Sequence, residues 1–435
     1  MLKRLGPQPG IAMAQAGFPA PFASGLEYSA PARGTWNIVH TGMLIPGAHQ
    51  IFVCAAGCLR GVVLTAAEMN AQERFSTIEI RESDVLDGDM ERLIVDGVEH
   101  ILEELPQRPP AVLVYTSCIH HFMGCDLALV YRTLRERHPD IDFTDCYMNP
   151  VMRKSGLTPD QLMRRQLYAA LRERPAQKGK IALLGSDLPT DDSTDFVRMI
   201  ERAGGAFAEL PRCQSYEEYL ALSEAEWFLT TVPSARAGGE ALAKRLSRRQ
   251  VYLPFLFDLD RIEEQEKELS ALLGVPAPEG GKERAQAALA HARSVIGDAP
   301  IAIDYTVVSH PLGLARLLLQ SGLRVERVYL DSILGEEKAD FDWLREHAPA
   351  LMLYPTVSPA MRVCARDEGD KVLAVGQKAA YFTGTSHFVN LVEDGGHHGF
   401  DGVCRLLADM EDARLTVKDA KKLIQIKGWG CGCCA

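Results

Sequence analysis

Two strand-like runs that end in cysteine pairs place the strongest constraint on how this chain can fold. The residues IFV before Cys54 and AVLVYTS before Cys118 are apolar and rich in β-branched side chains, which is typical of buried strands. A helical pattern follows each run. Open α/β sheets bind ligands in the crevice beyond the carboxyl ends of their strands. The sequence therefore predicts that thiols distant along the chain meet at one edge of an N-terminal sheet.

The candidate metal ligands are the four cysteines of these pairs, Cys54, Cys58, Cys118 and Cys125. Thiolates are soft ligands that suit iron–sulfur clusters or zinc. The first pair has the close spacing of a structural zinc site, but six residues separate the second pair, which favours an iron–sulfur cluster. Cys125 also precedes a predicted helix, whose N-terminus favours the thiolate form. The alternatives are a zinc-stabilised α/β protein and simple burial of the cysteines as small apolar side chains.

Composition limits the classes of protein to which the chain can belong. Its 435 residues predict two or three domains, and 47% hydrophobic with 24% charged residues is typical of a soluble globular protein. A net charge of −11 without a basic tract argues against nucleic acid or membrane as the main partner. No run approaches the roughly 18 apolar residues of a membrane helix, and no export signal is recognised. Eleven cysteines in such a chain predict a cytoplasmic protein in which cysteine clusters bind metal.

Repeated strand–helix–strand patterns predict three α/β domains. The pattern KIALLG, a helix and AFAEL recurs later as PIAIDYT, a helix and LRVERVYL. We predict an N-terminal arm (1–27), a cluster-binding domain (28–178), and two further Rossmann-like domains (179–280 and 281–435) with mostly parallel sheets. No dinucleotide-binding or P-loop consensus follows a strand, so the chain itself is not expected to bind NAD or hydrolyse ATP.

Two further groups of residues stand out in the sequence, a pair of histidines and a terminal cluster of cysteines. His397 and His398 lie in the glycine-rich stretch EDGGHHGFDG, which can press its backbone and imidazoles against a bound cofactor. The alternative is a simple turn before a helix. Cys431, Cys433 and Cys434 form a dense terminal cluster, which we interpret as a solvated chain end.

These motifs together resemble a known family. AAGC at Cys58, TSCIHHFMGCD at Cys118 and the late HHGFDG are similar to motifs of nitrogenase component 1 and its relatives, the cluster-bearing subunits of iron–sulfur reductases. The resemblance spans most of the chain and implies three α/β domains with Cys58 and Cys118 at an interfacial cluster. It implies a cluster of the P-cluster or [4Fe-4S] type and a second iron–sulfur cofactor in the complex. The implied partners are a homologous component 1 subunit in a heterotetramer and an ATP-hydrolysing Fe protein that delivers electrons.

The chain also departs from the family pattern. The loop EYSAPARG, where the family's first cluster cysteine usually lies, has no cysteine, and neither does WFLTTVPSARAGG, where α-subunits of nitrogenase anchor their cofactor. A β-type subunit or a relative with another cofactor is therefore favoured. The relatives considered are methylthio-alkane reductase, the reductases of tetrapyrrole synthesis and scaffolds for cofactor assembly. The expected function is electron relay for the reduction of a small substrate. The alternatives are a scaffold for iron–sulfur cofactor assembly and a component of a tetrapyrrole reductase.

Overall fold

The structure, a computed structural model, describes residues 7–23, 25, 38–149, 156–364 and 371–419. Its strands are β1 (Ile11–Ala12), β2 (His49–Cys54), β3 (Phe75–Glu79), β4 (Ala111–Ser117), β5 (Asp142–Met148), β6 (Gln177–Leu184), β7 (Ala206–Glu209), β8 (Ala225–Thr230), β9 (Arg249–Tyr252), β10 (Ile301–Asp304), β11 (Val325–Tyr329), β12 (Met352–Tyr354), β13 (Leu373–Val375) and β14 (Phe388–Val389). Its helices are α1 (Ile38–Met43), α2 (Ala56–Glu68), α3 (Glu82–Asp87), α4 (Met90–Glu104), α5 (Cys118–Met123), α6 (Leu127–Arg137), α7 (Pro159–Leu167), α8 (Asp195–Arg202), α9 (Tyr216–Leu220), α10 (Pro233–Leu246), α11 (Leu259–Leu273), α12 (Gly281–Ile296), α13 (Pro311–Gln320), α14 (Lys338–His347), α15 (Gln377–Thr383) and α16 (Gly399–Leu415).

The strands form three sheets that are mostly parallel, with the orders β3-β2-β4-β5, β7-β6-β8-β9 and β1-β12-β11-β10-β13-β14. The short strand β1 is the exception, because it pairs antiparallel with β12. Both β2 and β4 are buried along their whole length, as strands of a parallel sheet covered by helices on both faces must be. The predicted α/β fold with mostly parallel sheets is confirmed.

The chain divides into two compact units. We call the unit of residues 30–187 and 205–252 the cysteine unit, since it carries the four predicted ligands. The unit of residues 1–29, 188–204 and 253–435 is called the histidine unit. The cysteine unit contains the first two sheets, and the histidine unit contains the third. The four-part division predicted from the sequence stays a prediction.

Alternating side chains of β2 fill two separate cores in the cysteine unit. Ile51 and Val53 pack with residues of α4 and α6 on one face of the sheet. Phe52 and Cys54 belong to the core on the opposite face, which α2 and α7 help to build. There the ring of Phe52 stacks on Tyr115 with centroids 4.1 Å apart. The period of two along this strand therefore decides that Cys54 lies on the face covered by α2.

The histidine unit packs its sheet against α11, α12, α13 and α16 around a large apolar core. Its N-terminal segment is fastened to this sheet. Gln8 Nε2 donates to the carbonyl oxygen of Phe382 at 2.8 Å, and the hydroxyl of Tyr329 donates to Gln8 Oε1 at 2.9 Å. Backbone pairing between β1 and β12 extends the same contact.

The apolar periodicity of the stretch 86–105 predicts one amphipathic helix, but this helix is interrupted in the structure. Gly88 ends α3 in the left-handed conformation with φ of 73°, and the Asp89 carboxylate accepts a hydrogen bond from Arg92 N to cap α4. These two capping signals override the apolar periodicity that suggested one continuous helix. The sequence pattern of 417–426 also predicts a helix, but residues 417–419 are not helical. The rest of this stretch lies outside the described residues, as do Cys431, Cys433 and Cys434. Among the helices that the structure describes, none is both long and apolar enough to span a membrane.

Candidate metal centre and histidine loop

The carboxyl ends of β2 and β4 bring cysteines together. Cys54 is the last residue of β2, and Cys118 opens α5 directly after β4. The two strands are parallel neighbours in which Val53 pairs with Thr116. In the order β3-β2-β4-β5, the direction of strand addition reverses between β2 and β4, and such a switch point is where open α/β sheets bind ligands. The predicted meeting of distant thiols therefore has a topological cause.

Three of the four predicted ligands lie close enough to influence one another electrostatically. Burial and then the neighbouring Cys58 and Cys118 raise the pKa of the Cys54 thiol. Partial burial, followed by Cys118, raises the pKa of Cys58. Cys54 is fully buried, Cys118 is partly exposed and Cys58 is exposed in the first turn of α2. The structure thus places Cys54, Cys58 and Cys118 around one edge of the sheet, with Cys58 on the surface.

Cys125 has different surroundings. It lies between α5 and α6, where its backbone nitrogen donates to the carbonyl oxygen of His120 at 3.0 Å. Burial, followed by the neighbouring Glu91 carboxylate, raises the pKa of Cys125 to about 12. The expected stabilisation of a thiolate by the following helix is outweighed here by burial and acidic neighbours. Among the residues that the structure describes, no three His, Cys, Asp or Glu side chains form a group that could hold a metal ion.

His397 and His398 lie in the histidine unit, immediately before α16, and both are buried. Neither ring nitrogen of His397 has a hydrogen-bond partner, and Nε2 of His398 also lacks one. The His398 ring stacks on Phe196 with centroids 4.9 Å apart. Burial, and then His397, lower the pKa of His398 to about 3. The His398 imidazole is therefore held in its neutral form, and a neutral imidazole is the form that binds metal.

A cleft in the histidine unit opens beside this loop. It is lined by Phe196, Met199, Leu253, Pro254, Ile262, Gln265, Glu266, Leu269, His398 and Gly399. Glu266 is its one acidic lining residue, and burial, followed by Asp195 and Asp401, raises the pKa of Glu266 to about 7. The cleft thus combines an apolar wall with three polar side chains, those of Gln265, Glu266 and His398.

One polar cluster was not found from the sequence. In the third sheet the strand order reverses between β10 and β13. Asp304 ends β10, and Lys378, just after β13, is close enough to feel its charge. Lys378 Nζ donates to the hydroxyl of Tyr305 at 2.6 Å and lies 4.4 Å from the centroid of that ring. Burial lowers the pKa of Lys378, but Tyr305, Asp331 and Asp304 outweigh it and hold the pKa above its ordinary value. The sequence signal for this cluster is VGQK after the apolar run KVLA, but β13 is only three residues long, which is too short to show a strand period.

A family model for nitrogenase component 1 type oxidoreductases matches residues 39–413. The chain belongs to this family. The match includes both cysteine-bearing strands and the histidine loop, so the resemblance read from AAGC, TSC and HHGFDG is confirmed at the level of the family. Membership makes the protein one of a family of oxidoreductases.

Solved structures of nitrogenase share the fold of this nitrogenase component 1 family member. The structure titled "Nitrogenase Cp1 at pH 6.5" is 13% identical, with a TM-score of 0.66 over 91% of this chain and 94% of that chain. "Nitrogenase Cp1 at pH 5" is 15% identical, with a TM-score of 0.60 over 93% of this chain and 91% of that chain. At sequence identities this low, the similarity shows a shared fold alone. No curated protein matches the chain in sequence.

Proposed function

We propose that this component 1 family member is a subunit of a nitrogenase-like iron–sulfur reductase. In this proposal, Cys54, Cys58 and Cys118, together with Cys125, contribute thiolates to an interfacial iron–sulfur cluster of the P-cluster type. A separate ATP-hydrolysing Fe protein supplies electrons, and a homologous component 1 subunit completes a heterotetramer in the cytoplasm. The substrate is a small molecule, and a methylthio-alkane is one candidate.

The observation that carries the proposal is the position of Cys54 and Cys118 at the β2–β4 switch point, with Cys58 close by. Thiolates are the usual ligands of iron–sulfur clusters, so the donor set fits such a group. These cysteines form a partial ligand set. Cys58 is exposed, and a second chain that approached the surface around it would supply the remaining ligands. A cluster bound there would supply one-electron transfer.

The protein's own contribution is to bind and tune such a group. The fully buried Cys54 lies in the apolar core that contains Phe52 and Tyr115, and from there it would hold such a group to the protein. The N-terminus of α2, at Ala56–Cys58, favours negative charge near the thiolates. Burial and the hydrogen bonds made to ligand sulfurs are the means by which a protein sets the potential of a cluster.

Iron and acid-labile sulfide per chain, measured after anaerobic purification, test the ligand assignment. We expect the native protein to contain both and the variants Cys58→Ala and Cys118→Ala to lose most of each. Cys213→Ala is the matched control, because Cys213 is a partly buried free cysteine of the same unit that the proposal does not use. Full iron and sulfide in a Cys58→Ala/Cys118→Ala double variant would overturn the assignment.

A second experiment tests the electron donor and the substrate. The purified complex is mixed with its Fe protein, ATP and dithionite, and reduction of the cluster is followed by electron paramagnetic resonance. Product formation from a methylthio-alkane is then measured by gas chromatography. Cluster reduction that does not require ATP would contradict the proposed donor, and a reduced complex that forms no product would contradict the proposed substrate.

A further inference from the structure

The backbone around His397 and His398 has an unusual conformation. Four consecutive residues, Glu393, Asp394, Gly395 and Gly396, have positive φ angles of 49°, 61°, 60° and 75°. Glycine adopts this region freely, but a side chain at such a φ crowds its own backbone. Among the described residues, Asn70 and Ser247 are the only other non-glycine residues with positive φ. A conformation of this kind persists when its surroundings hold it in place.

Every polar group of Asp394 makes a hydrogen bond within the protein. Its carboxylate accepts hydrogen bonds from Ser309 N at 2.8 Å and from the Ser309 hydroxyl at 2.6 Å. Its backbone nitrogen donates to the carbonyl oxygen of Val307 at 2.9 Å, and its own carbonyl oxygen accepts from His397 N at 2.9 Å. The residue is 3% exposed, so these bonds are shielded from water. Asp394 therefore connects the segment after β10 directly to the backbone of His397.

The other side of the loop is closed by the segment before α8. Asp191 N donates to the carbonyl oxygen of Gly396 at 3.0 Å. A Cβ atom on Gly396 would come within 2.1 Å of the carbonyl oxygen of Pro189, so only glycine fits at this approach. The loop is thus fixed between two segments of the histidine unit, and this determines where the two imidazoles lie.

The two imidazoles make few hydrogen bonds of their own in this arrangement. His397 and His398 are each 6% exposed, yet the ring nitrogens Nδ1 and Nε2 of His397 and Nε2 of His398 have no hydrogen-bond partner. Buried polar groups in folded proteins are nearly always bonded, because a lost partner is costly. The carboxylate oxygen Oδ2 of Asp409 lies 3.9 Å from Nε2 of His397, beyond hydrogen-bond distance, so these ring nitrogens remain available to a bound group.

We propose that Asp394 is a positioning residue that, through its carboxylate bonds to Ser309, holds His397 and His398 ready to bind a cofactor. Cofactor binding by the two histidines rests on the proposed function. Anchoring of the loop rests on the hydrogen bonds of Asp394 alone, and the two claims are tested separately.

Two substitutions of the same residue separate anchoring from simple tolerance of positive φ. Asp394→Gly removes the carboxylate but relieves the backbone, whereas Asp394→Asn tolerates the left-handed region and keeps an acceptor oxygen for Ser309 N. If the residue only has to tolerate positive φ, glycine is the better replacement. If it anchors the loop, asparagine preserves the loop and glycine releases it.

Hydrogen exchange followed by mass spectrometry of peptides covering 390–402 decides between these outcomes. We expect exchange of the loop amides to rise by about tenfold or more in Asp394→Gly and to change by less than about threefold in Asp394→Asn. Carbethoxylation of His397 and His398 by diethyl pyrocarbonate should accelerate in parallel. Ser247→Gly, a change at positive φ in the other unit, is the control and should leave both readouts unchanged. Equal exchange in the native protein and Asp394→Gly, or equally fast exchange in both variants, would overturn the positioning role.

The link to a cofactor has its own readout. The electron paramagnetic resonance spectrum of the anaerobically purified complex should change in Asp394→Gly and be restored in Asp394→Asn. A released loop with an unchanged spectrum would show that Asp394 anchors the loop but that the histidines bind no cofactor. A native protein without iron would instead refute the proposed function and leave the exchange result to decide on the loop.

Discussion

Gly376 lies against the carboxylate of Asp304 so closely that a Cβ atom at position 376 would come within 2.2 Å of Oδ2 of Asp304. The same oxygen accepts a hydrogen bond from Ala379 N at 2.7 Å. The φ angle of Gly376 is 116°, a value that side-chain-bearing residues rarely adopt. The absence of a side chain at 376 therefore allows a fully buried aspartate to reach the start of α15 at the switch point of the third sheet.

Gly376→Ala is expected to destabilise the histidine unit by roughly 2 kcal/mol or more, since it combines the steric clash with an unfavourable φ. Urea unfolding followed by tryptophan fluorescence measures the change. Gly61→Ala is the matched control, because Gly61 lies within α2 and a Cβ there would meet nothing within 4 Å. Alanine is the better helix former, so this control should unfold at the same or higher urea concentration. A Gly376→Ala protein as stable as the control would contradict the close approach.

Glu266→Gln is expected to change how stability depends on pH. The pKa of Glu266 is raised to about 7 by burial, Asp195, Asp401 and Glu263, against the opposing effect of Arg284. Its folded pKa lies above the unfolded value, so its stabilising contribution is complete below about pH 4.5 and is lost as the pH rises through about 7. Glutamine resembles the protonated carboxyl group of Glu266 and does not ionise as the pH rises.

The variant should therefore match the native protein at low pH and exceed its stability at pH 8, by at most about 2 kcal/mol after allowance for solvent screening. Unfolding midpoints at several pH values between 4.5 and 8 measure this difference. Glu268→Gln, on the exposed side of the same helix, serves as the control. A stability difference that stays constant across this pH range would show that Glu266 does not titrate there.

Tyr305→Phe tests the pairing of Lys378 with the phenol. The variant keeps the ring beneath the ammonium but removes the hydroxyl that accepts its 2.6 Å hydrogen bond. We expect a loss of about 1–2 kcal/mol in the free energy of unfolding. A double-mutant cycle with Lys378→Met isolates the pairwise contribution, for which roughly 1 kcal/mol is expected. Additive effects of the two substitutions would mean that the hydroxyl and the ammonium do not interact.

Glu91→Gln is expected to make Cys125 more reactive. The pKa of Cys125 is raised to about 12, mainly by burial and then by Glu91, so little thiolate is present at pH 8. Removing the Glu91 charge should lower this pKa and speed alkylation of Cys125 by iodoacetamide several-fold in metal-free protein, although burial keeps the reaction slow. In the native protein Asp126 N donates a hydrogen bond to Glu91 Oε1 at 2.6 Å, and the side-chain oxygen of glutamine can still accept it.

Peptide mass spectrometry measures the alkylation rate at each cysteine separately. Glu103→Gln, an exposed change on the same helix α4, controls for the loss of one negative charge. Equal rates at Cys125 in the two variants would show that Glu91 does not control this thiol.

Much of the local structure could be predicted from the sequence. The run AVLVYTS, predicted as a strand, has the same bounds as β4. The apolar periodicity of Leu259–Leu273 predicts a helix, and α11 has these bounds. Both are long segments with a clear pattern of apolar residues. The short strands β13 and β14 were missed because three and two residues are too few to show a period. With β13 the polar cluster at Lys378 was missed as well.

The sequence by itself determined which cysteines end strands and which histidines lie on a glycine-rich loop, since these follow from the order of residues along the chain. Only the tertiary structure decided that Cys54, Cys58 and Cys118 share one edge while Cys125 faces Glu91, because strand order decides which chain segments become neighbours. It likewise decided that Asp394, 85 residues from Ser309, anchors the histidine loop. Local patterns depend on neighbours along the chain, whereas a site depends on contacts between distant segments that no local pattern specifies.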